Sequence, residues 1–159
     1  MRLVSFAGGF GRVEGDTVVP MGSDILEYLA TGRATDGVPV GLGEIQVRAP
    51  VPRPGKIVAI GLNYRDHAAE SEQPVPTEPI LFAKFANSVV GPGEAILIPA
   101  ATERADYEAE LAVVIGRQAH EVDRADAFDH VAGYTCANDV SARDLQLATS
   151  QWTRGKAID

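Results

Sequence analysis

Short apolar runs closed by glycine, proline or acidic residues recur along the chain, a pattern of strands rather than of long helices. RLVSF and DTVVP near the start alternate and are separated by glycines, which predicts a small β meander. Ser23 and Asp24 then stand before DILEYLA, which stops at Gly32, so a short capped helix is expected there. A Gly/Pro-rich passage follows, and VPRPG at residues 51–55 marks a boundary between units. Beyond it KIVAIG, EPILFAKF, EAILIP, YEAELAVVIG and HVAGYTCAND read as strands, with a helical DRADAFD between the last two. No regular βα alternation and no internal repeat is found. The expected architecture is mainly β (α+β). A small N-terminal α+β domain over 1–52 precedes a unit over 53–159 that is closer to a sandwich or roll than to a doubly wound sheet.

The gross features narrow the setting. A chain of 159 residues with 45% hydrophobic and 23% charged residues can build a real core. Its net charge of −8 argues against nucleic acid or an anionic membrane as a partner. The single cysteine, Cys136, excludes an internal disulfide and a cysteine zinc cluster, and favours a reducing, cytoplasmic compartment. Neither a long apolar span nor the apolar core of a signal peptide is present. GGFGRV lacks the third glycine and the following helical period of a dinucleotide loop, so it reads as a hairpin turn.

The stretch DYEAEL raises a sharper question. Asp106, Glu108 and Glu110 stand at every second position, so on one continuous strand all three carboxylates would share a face. Neighbouring pairs would lie about 6.6 Å apart and repel by about 2.5 kcal/mol at an effective dielectric of about 20. If the end of HVAGYTCAND lies alongside, Asp139 joins Glu108 and Glu110 around one point, and protons or a cation must neutralise them. An all-oxygen set indicates a hard divalent ion, Mg²⁺ first, with Mn²⁺ or Ca²⁺ as alternatives. The spacing by itself favours the plainer reading, a solvated strand face.

A second constellation lies in GLNYRDHAAE, where His67 and Glu70 are one helical turn apart. A carboxylate in that position can orient an imidazole and raise its basicity, as a general base requires. His120 and His130 have no such partner.

These segments resemble the fumarylacetoacetate hydrolase family. GLNYRDHAAE, PILFAKFANSVVGPGEAI, DYEAELAVVIG, GYTCANDVSARDLQ and QWTRGKAID occur in the family's order and approximate spacing, over about residues 55–159. The resemblance implies a mixed β-roll catalytic domain, a homodimer, and a member similar to small acylpyruvate hydrolases or 2-hydroxyhepta-2,4-diene-1,7-dioate isomerases. It implies metal ligation by Glu108, Glu110 and Asp139; Asp106, the odd one out on that face, is read as lying behind the ligands or at the rim. His67 and Glu70 match a water-activating pair, and Lys156 matches a lysine that stabilises developing negative charge. Arg143 and Gln146, with Lys84 and Ser88, fall where substrate contacts are expected.

The implied reaction is metal-dependent hydrolysis of a C–C bond in a 1,3-diketo acid of the acylpyruvate or fumarylpyruvate type, of the kind used in aromatic catabolism. An enolate leaves in that reaction, and decarboxylases and isomerases of related 2-oxo acids use the same intermediate. Family members also continue past GKAID, so the 53–159 unit is expected to be incomplete at its C-terminus. A non-catalytic metal-binding fragment is therefore a further alternative.

Overall fold

The computed structural model describes residues 1–158. In chain order, the first elements are β1 (Leu3–Phe6), β2 (Gly9–Glu14), β3 (Thr17–Gly22), α1 (Ile25–Thr31) and β4 (Val40–Gly41). Next come β5 (Ile57–Gly61), α2 (Arg65–Glu70), β6 (Ile80–Lys84), β7 (Ala105–Asp106) and β8 (Ala109–Ile115). The last are β9 (Val131–Asn138), β10 (Ser141–Ala142), α3 (Arg143–Leu147) and α4 (Thr153–Lys156). Mixed sheet and helix with β predominating is the class expected. Among the described residues, no helix is long and apolar enough to cross a membrane.

The chain forms two compact units that interleave along the sequence. One holds Met1–Pro52, Val90–Ala95 and Ala109–Asn138; the other holds Arg53–Val89, Ile96–Glu108 and the residues from Asp139 onward.

In the first unit β1 to β4 make an antiparallel sheet in sequence order. Phe10, Met21 and Ile25 form its core, with Leu3, Tyr28 and Leu29 packed around them. The α1 helix starts where Asp24 accepts the Leu26 N–H at 2.8 Å. It ends at Gly32, whose φ of 69° is left-handed and cheap only for glycine, and whose N–H donates to the Tyr28 carbonyl at 2.7 Å. The β8–β9 ladder pairs Glu110 with Ala137 and Val113 with Tyr134. Leu111, Val113, Ile115 and Tyr134 of this ribbon are exposed.

In the second unit β5 pairs with β6, and α2 lies in the connection between them. The two-residue strands β7 and β10 pair, with Ser141 opposite Asp106. Phe82 of β6 meets Trp152, just before α4, edge to face with ring centroids 5.9 Å apart.

Three expectations need correction. EAILIP forms no strand: Ile96, Leu97 and Ile98 are exposed and outside any ladder. The turn at Gly91–Gly93 and Pro99, which lacks an N–H, frame a run that finds no strand partner among the described residues. DYEAEL, in turn, is not one strand. Asp106 ends β7, Glu108 lies in a break, and Glu110 belongs to β8, so the three acids do not share one continuous pleated face. The helical character given to DRADAFD reduces to a 3-10 turn over Ala127–His130.

Candidate functional site

The break at Glu108 is where the chemistry gathers. The β8–β9 pairing ends at Ala109 and Asn138, and the next residue, Asp139, donates its N–H to the Glu108 carbonyl at 2.9 Å. This backbone bond brings the Glu108 and Asp139 carboxylates together, but not the Glu110 carboxylate expected with them. Between them sits the ammonium of Lys156, 2.7 Å from Glu108 Oε2 and 3.0 Å from Asp139 Oδ2. Lys156 is among the most deeply buried side chains of the protein, only 2% exposed. Its Nζ also lies 5.0 Å from the centroid of the Phe82 ring, within cation–π range.

Two further cations complete the cluster. Arg143, which opens α3, places one guanidinium nitrogen 2.6 Å from Glu108 Oε1 and another 2.9 Å from Asp106 Oδ2. It also donates to Gln146 Oε1 at 3.0 Å, one turn on along α3. Lys84, at the end of β6, lies 2.6 Å from Asp139 Oδ1. Asp106, Glu108 and Asp139 are therefore matched by Lys84, Arg143 and Lys156. The like charge that the sequence aims at one spot is balanced from within the fold.

The electrostatics follow from this arrangement. Burial pushes the Glu108 carboxyl upward, but the hydrogen bonds and charges of Lys156 and then Arg143 outweigh it, and the net shift is downward. The hydrogen bond from Arg143 holds the Asp106 carboxyl below its usual range. Burial disfavours the charged Arg143 guanidinium, yet its bonds to Asp106 and Glu108 raise its pKa overall. Asp144, beside Arg143, is lowered by the hydroxyl of Thr102 and the Glu103 N–H; these ties fasten the loop before β7 to α3.

Acid should therefore weaken the cluster. Depressed carboxylates stabilise the fold fully above their ordinary pKa values, 3.8 for Asp106 and 4.5 for Glu108. That contribution is lost as pH falls through the lower values they have when folded. Trp152, the chain's only tryptophan, can report the transition by fluorescence. The double variant Asp106→Asn, Glu108→Gln is expected to be less stable than wild type at pH 7 and to lose less on acidification. Equal acid sensitivity in the two proteins would contradict this.

The other residues singled out by sequence lie elsewhere. Glu110 is half-buried on β8, in the first unit. His67 and Glu70 sit on α2 as expected, both exposed, with no hydrogen bond or ion pair joining them. The Ser88 hydroxyl donates to the Phe85 carbonyl at 2.8 Å and closes its own local turn. Phe82 and Gly155 were not singled out from the sequence. Both act on Lys156 through tertiary contacts, and no local pattern announces them.

The implied divalent ion can be tested against these groups. Glu108 and Asp139 are hard oxygen donors. Asp139 Oδ1 is buried and receives no aligned hydrogen bond, although Lys84 stands beside it as an ion-pair partner. The donor chemistry fits a hard cation. Among the described residues, however, no three histidine, cysteine or acidic side chains close on one point.

The comparisons with known proteins agree with the fold. A family model described as fumarylacetoacetate (FAA) hydrolase C-terminal matches residues 56–159. The chain belongs to the fumarylacetoacetate hydrolase family. It is 52% identical over 116 residues to the fumarylacetoacetate hydrolase domain-containing protein 2 homolog of Dictyostelium discoideum, covering 72% of this chain and 38% of that protein. It is 45% identical over 147 residues to the mitochondrial oxaloacetate tautomerase FAHD2A of Bos taurus, covering 85% of this chain and 47% of that one. Among solved structures, 5-carboxymethyl-2-hydroxymuconate delta-isomerase from Mycobacterium smegmatis superposes with a TM-score of 0.84 at 33% identity. That match covers 100% of this chain and 62% of the other. The chain thus spans under half the length of the two curated relatives.

Proposed function

We propose that this chain carries the enolate-stabilising site of an enzyme acting on a small 2-oxo acid, with keto–enol interconversion of an oxaloacetate-type dicarboxylate as the first reading. The observation that carries it is the buried Lys156 ammonium, fixed between Glu108 and Asp139 against Phe82. A cation held in a dry, pre-set position stabilises negative charge that develops on an oxygen, with little reorganisation. Tautomerisation needs this: a base removes the proton on the carbon beside the carbonyl, and the oxygen becomes an enolate. Lys156 donates an N–H to that oxygen as its charge grows. With its carbonyl oxygen engaged by Arg143, Gln146 keeps its NH₂ group as a donor for a substrate carboxylate. Arg143 is the second substrate-facing group. Glu108 and Asp139 would hold a divalent ion, Mg²⁺ first, with Glu110 carried over as third ligand from the family resemblance alone, and that ion when bound would supply Lewis-acid polarisation of the carbonyl.

The base in this reading is His67, with Glu70 three residues further along α2. The same pair supports a second reading, hydrolysis of the C–C bond in an acylpyruvate, in which His67 takes its proton from water. Names of relatives favour the first: the bovine protein is an oxaloacetate tautomerase, and the mycobacterial structure is an isomerase. The exposed apolar side chains of β8 and β9 support the homodimer proposed from sequence. The single cysteine supports a reducing compartment, with the cytoplasm proposed first.

Spectrophotometry of the oxaloacetate enol band tests the first reading. The purified protein with Mg²⁺ is expected to accelerate enol–keto conversion, and His67→Ala is expected to slow it by about 10²–10⁴-fold with metal affinity unchanged. Release of pyruvate and a carboxylic acid from an acylpyruvate would instead support hydrolysis. Inactivity on both substrates would remove the catalytic assignment.

A further inference from the structure

We propose that Lys84 is a positioning residue, which fixes Lys156 and Asp139 in place and does not contact substrate. The inference rests on reading Lys156 as the enolate-stabilising group. An ammonium has three hydrogens to donate. Lys84 Nζ donates to the Val140 carbonyl at 3.0 Å and to the Lys156 carbonyl, and its third contact is Asp139 Oδ1 at 2.6 Å. The ammonium is thus held by two carbonyls and one carboxylate of the protein.

The acceptors chosen are informative. Lys156 lies at the end of α4, a helix of four residues, and its carbonyl has no continuing turn to accept from. So short a helix does not hold itself. Phe82 and Lys84, two apart on β6, project to the same face. The Phe82 ring lies against the Lys156 ammonium, while the Lys84 ammonium binds the carbonyl of that same residue. One strand therefore grips the catalytic lysine at both ends. Through Val140 and Asp139, Lys84 also ties that grip to the turn between β9 and β10. An Asp139 carboxylate and a Lys156 ammonium placed by the same group keep a fixed separation.

Amine acylation read by mass spectrometry, with EDTA present, tests this directly. The chain has three lysines, and exposed Lys56 serves as the internal reference. In the unaltered protein Lys84 and Lys156 are expected to react at least about tenfold more slowly than Lys56, since each must open locally first. Saturating oxalate, a 2-oxo acid mimic, added in a second arm with Mg²⁺ in place of EDTA, should leave the Lys84 rate unchanged. In Lys84→Met, still folded by Trp152 fluorescence, the Lys156 rate should rise by at least about fivefold. Lys84 reacting as fast as Lys56 and protected by oxalate would make it a substrate contact and overturn the proposal. So would a Lys156 that stays protected in the folded variant. Should Lys84→Met fail to fold, the rates and the oxalate arm in the unaltered protein still decide. Where oxaloacetate turnover is measurable, the variant should lower kcat by about tenfold or more with KM within about twofold. A rise in KM alone would count against positioning. Absence of turnover in the unaltered protein would remove the catalytic reading, while the acylation rates would still judge Lys84.

Discussion

Replacing Lys156 by methionine is expected to destabilise the protein by about 3–5 kcal/mol at pH 7, the usual consequence of removing one partner from a buried ion pair. Methionine keeps much of the volume against Phe82, so the loss is electrostatic rather than a cavity. Glu108 and Asp139 would lose the donor they share, at 2.7 and 3.0 Å, with Arg143 and Lys84 left beside them. For a chain of this length the loss corresponds to a fall in Tm of roughly 6–20 °C. Two conditions should reduce it. In acid Glu108, without the ammonium that holds its carboxyl down, takes up a proton at a higher pH than in wild type, and the repulsion fades. At millimolar Mg²⁺ the ion can replace the missing ammonium, so the variant should gain more Tm from Mg²⁺ than wild type does. Turnover should fall as well, by about 10²–10³-fold, the typical effect of losing one group that stabilises an oxyanion. Thermal scans at pH 7 and in acid, with and without Mg²⁺, check the stability claim. A Tm at pH 7 equal to that of wild type would show that the ammonium is not needed to hold the two acids together.

What the sequence disclosed depended on the range of the interaction. The α1 helix was legible because Asp24 and Gly32 act within a turn of it. The meeting of Glu108 with Asp139 was legible because two apolar runs both end in acids, and a ladder built on those runs brings their ends level. The break between β7 and β8 was not legible. Alternation in DYEAEL suggested one continuous face, and only the switch of partner from β10 to β9 interrupts it. Lys84 was placed near the site by resemblance and read as a substrate contact. Its two carbonyl acceptors and its ion-pair partner come from residues 140, 156 and 139, far along the chain, so these ties could not be foreseen. EAILIP had the composition of a strand, yet a strand also needs a partner edge, which composition does not supply.

Gly155→Ala is expected to be as damaging as any change in the cluster, although it removes no charge. A Cβ at this position would lie 2.4 Å from the Gln146 nitrogen, 2.6 Å from the Ala142 carbonyl oxygen and 2.7 Å from Gln146 Cα. All three are backbone atoms, so no rotamer change can relieve the contact. The α4 helix would have to move away from α3. Overpacking of this kind costs about 1–3 kcal/mol, and occasionally more, before its consequences are counted. The next residue is Lys156, whose ammonium would be drawn from Glu108 and Asp139, so part of the ion-pair loss adds to the steric term. A total of at least about 3 kcal/mol follows, or a Tm lower by roughly 6–12 °C. Gly133→Ala on β9 is the matched control, because a Cβ there meets nothing within 4 Å. Its stability should stay near that of wild type or rise slightly, as alanine loses less chain entropy than glycine on folding. Urea unfolding of the two variants side by side separates the claims. If Gly155→Ala matches Gly133→Ala in stability and leaves Lys156 slow to acylate, then α4 is not seated tightly on α3, and the cluster does not depend on that glycine.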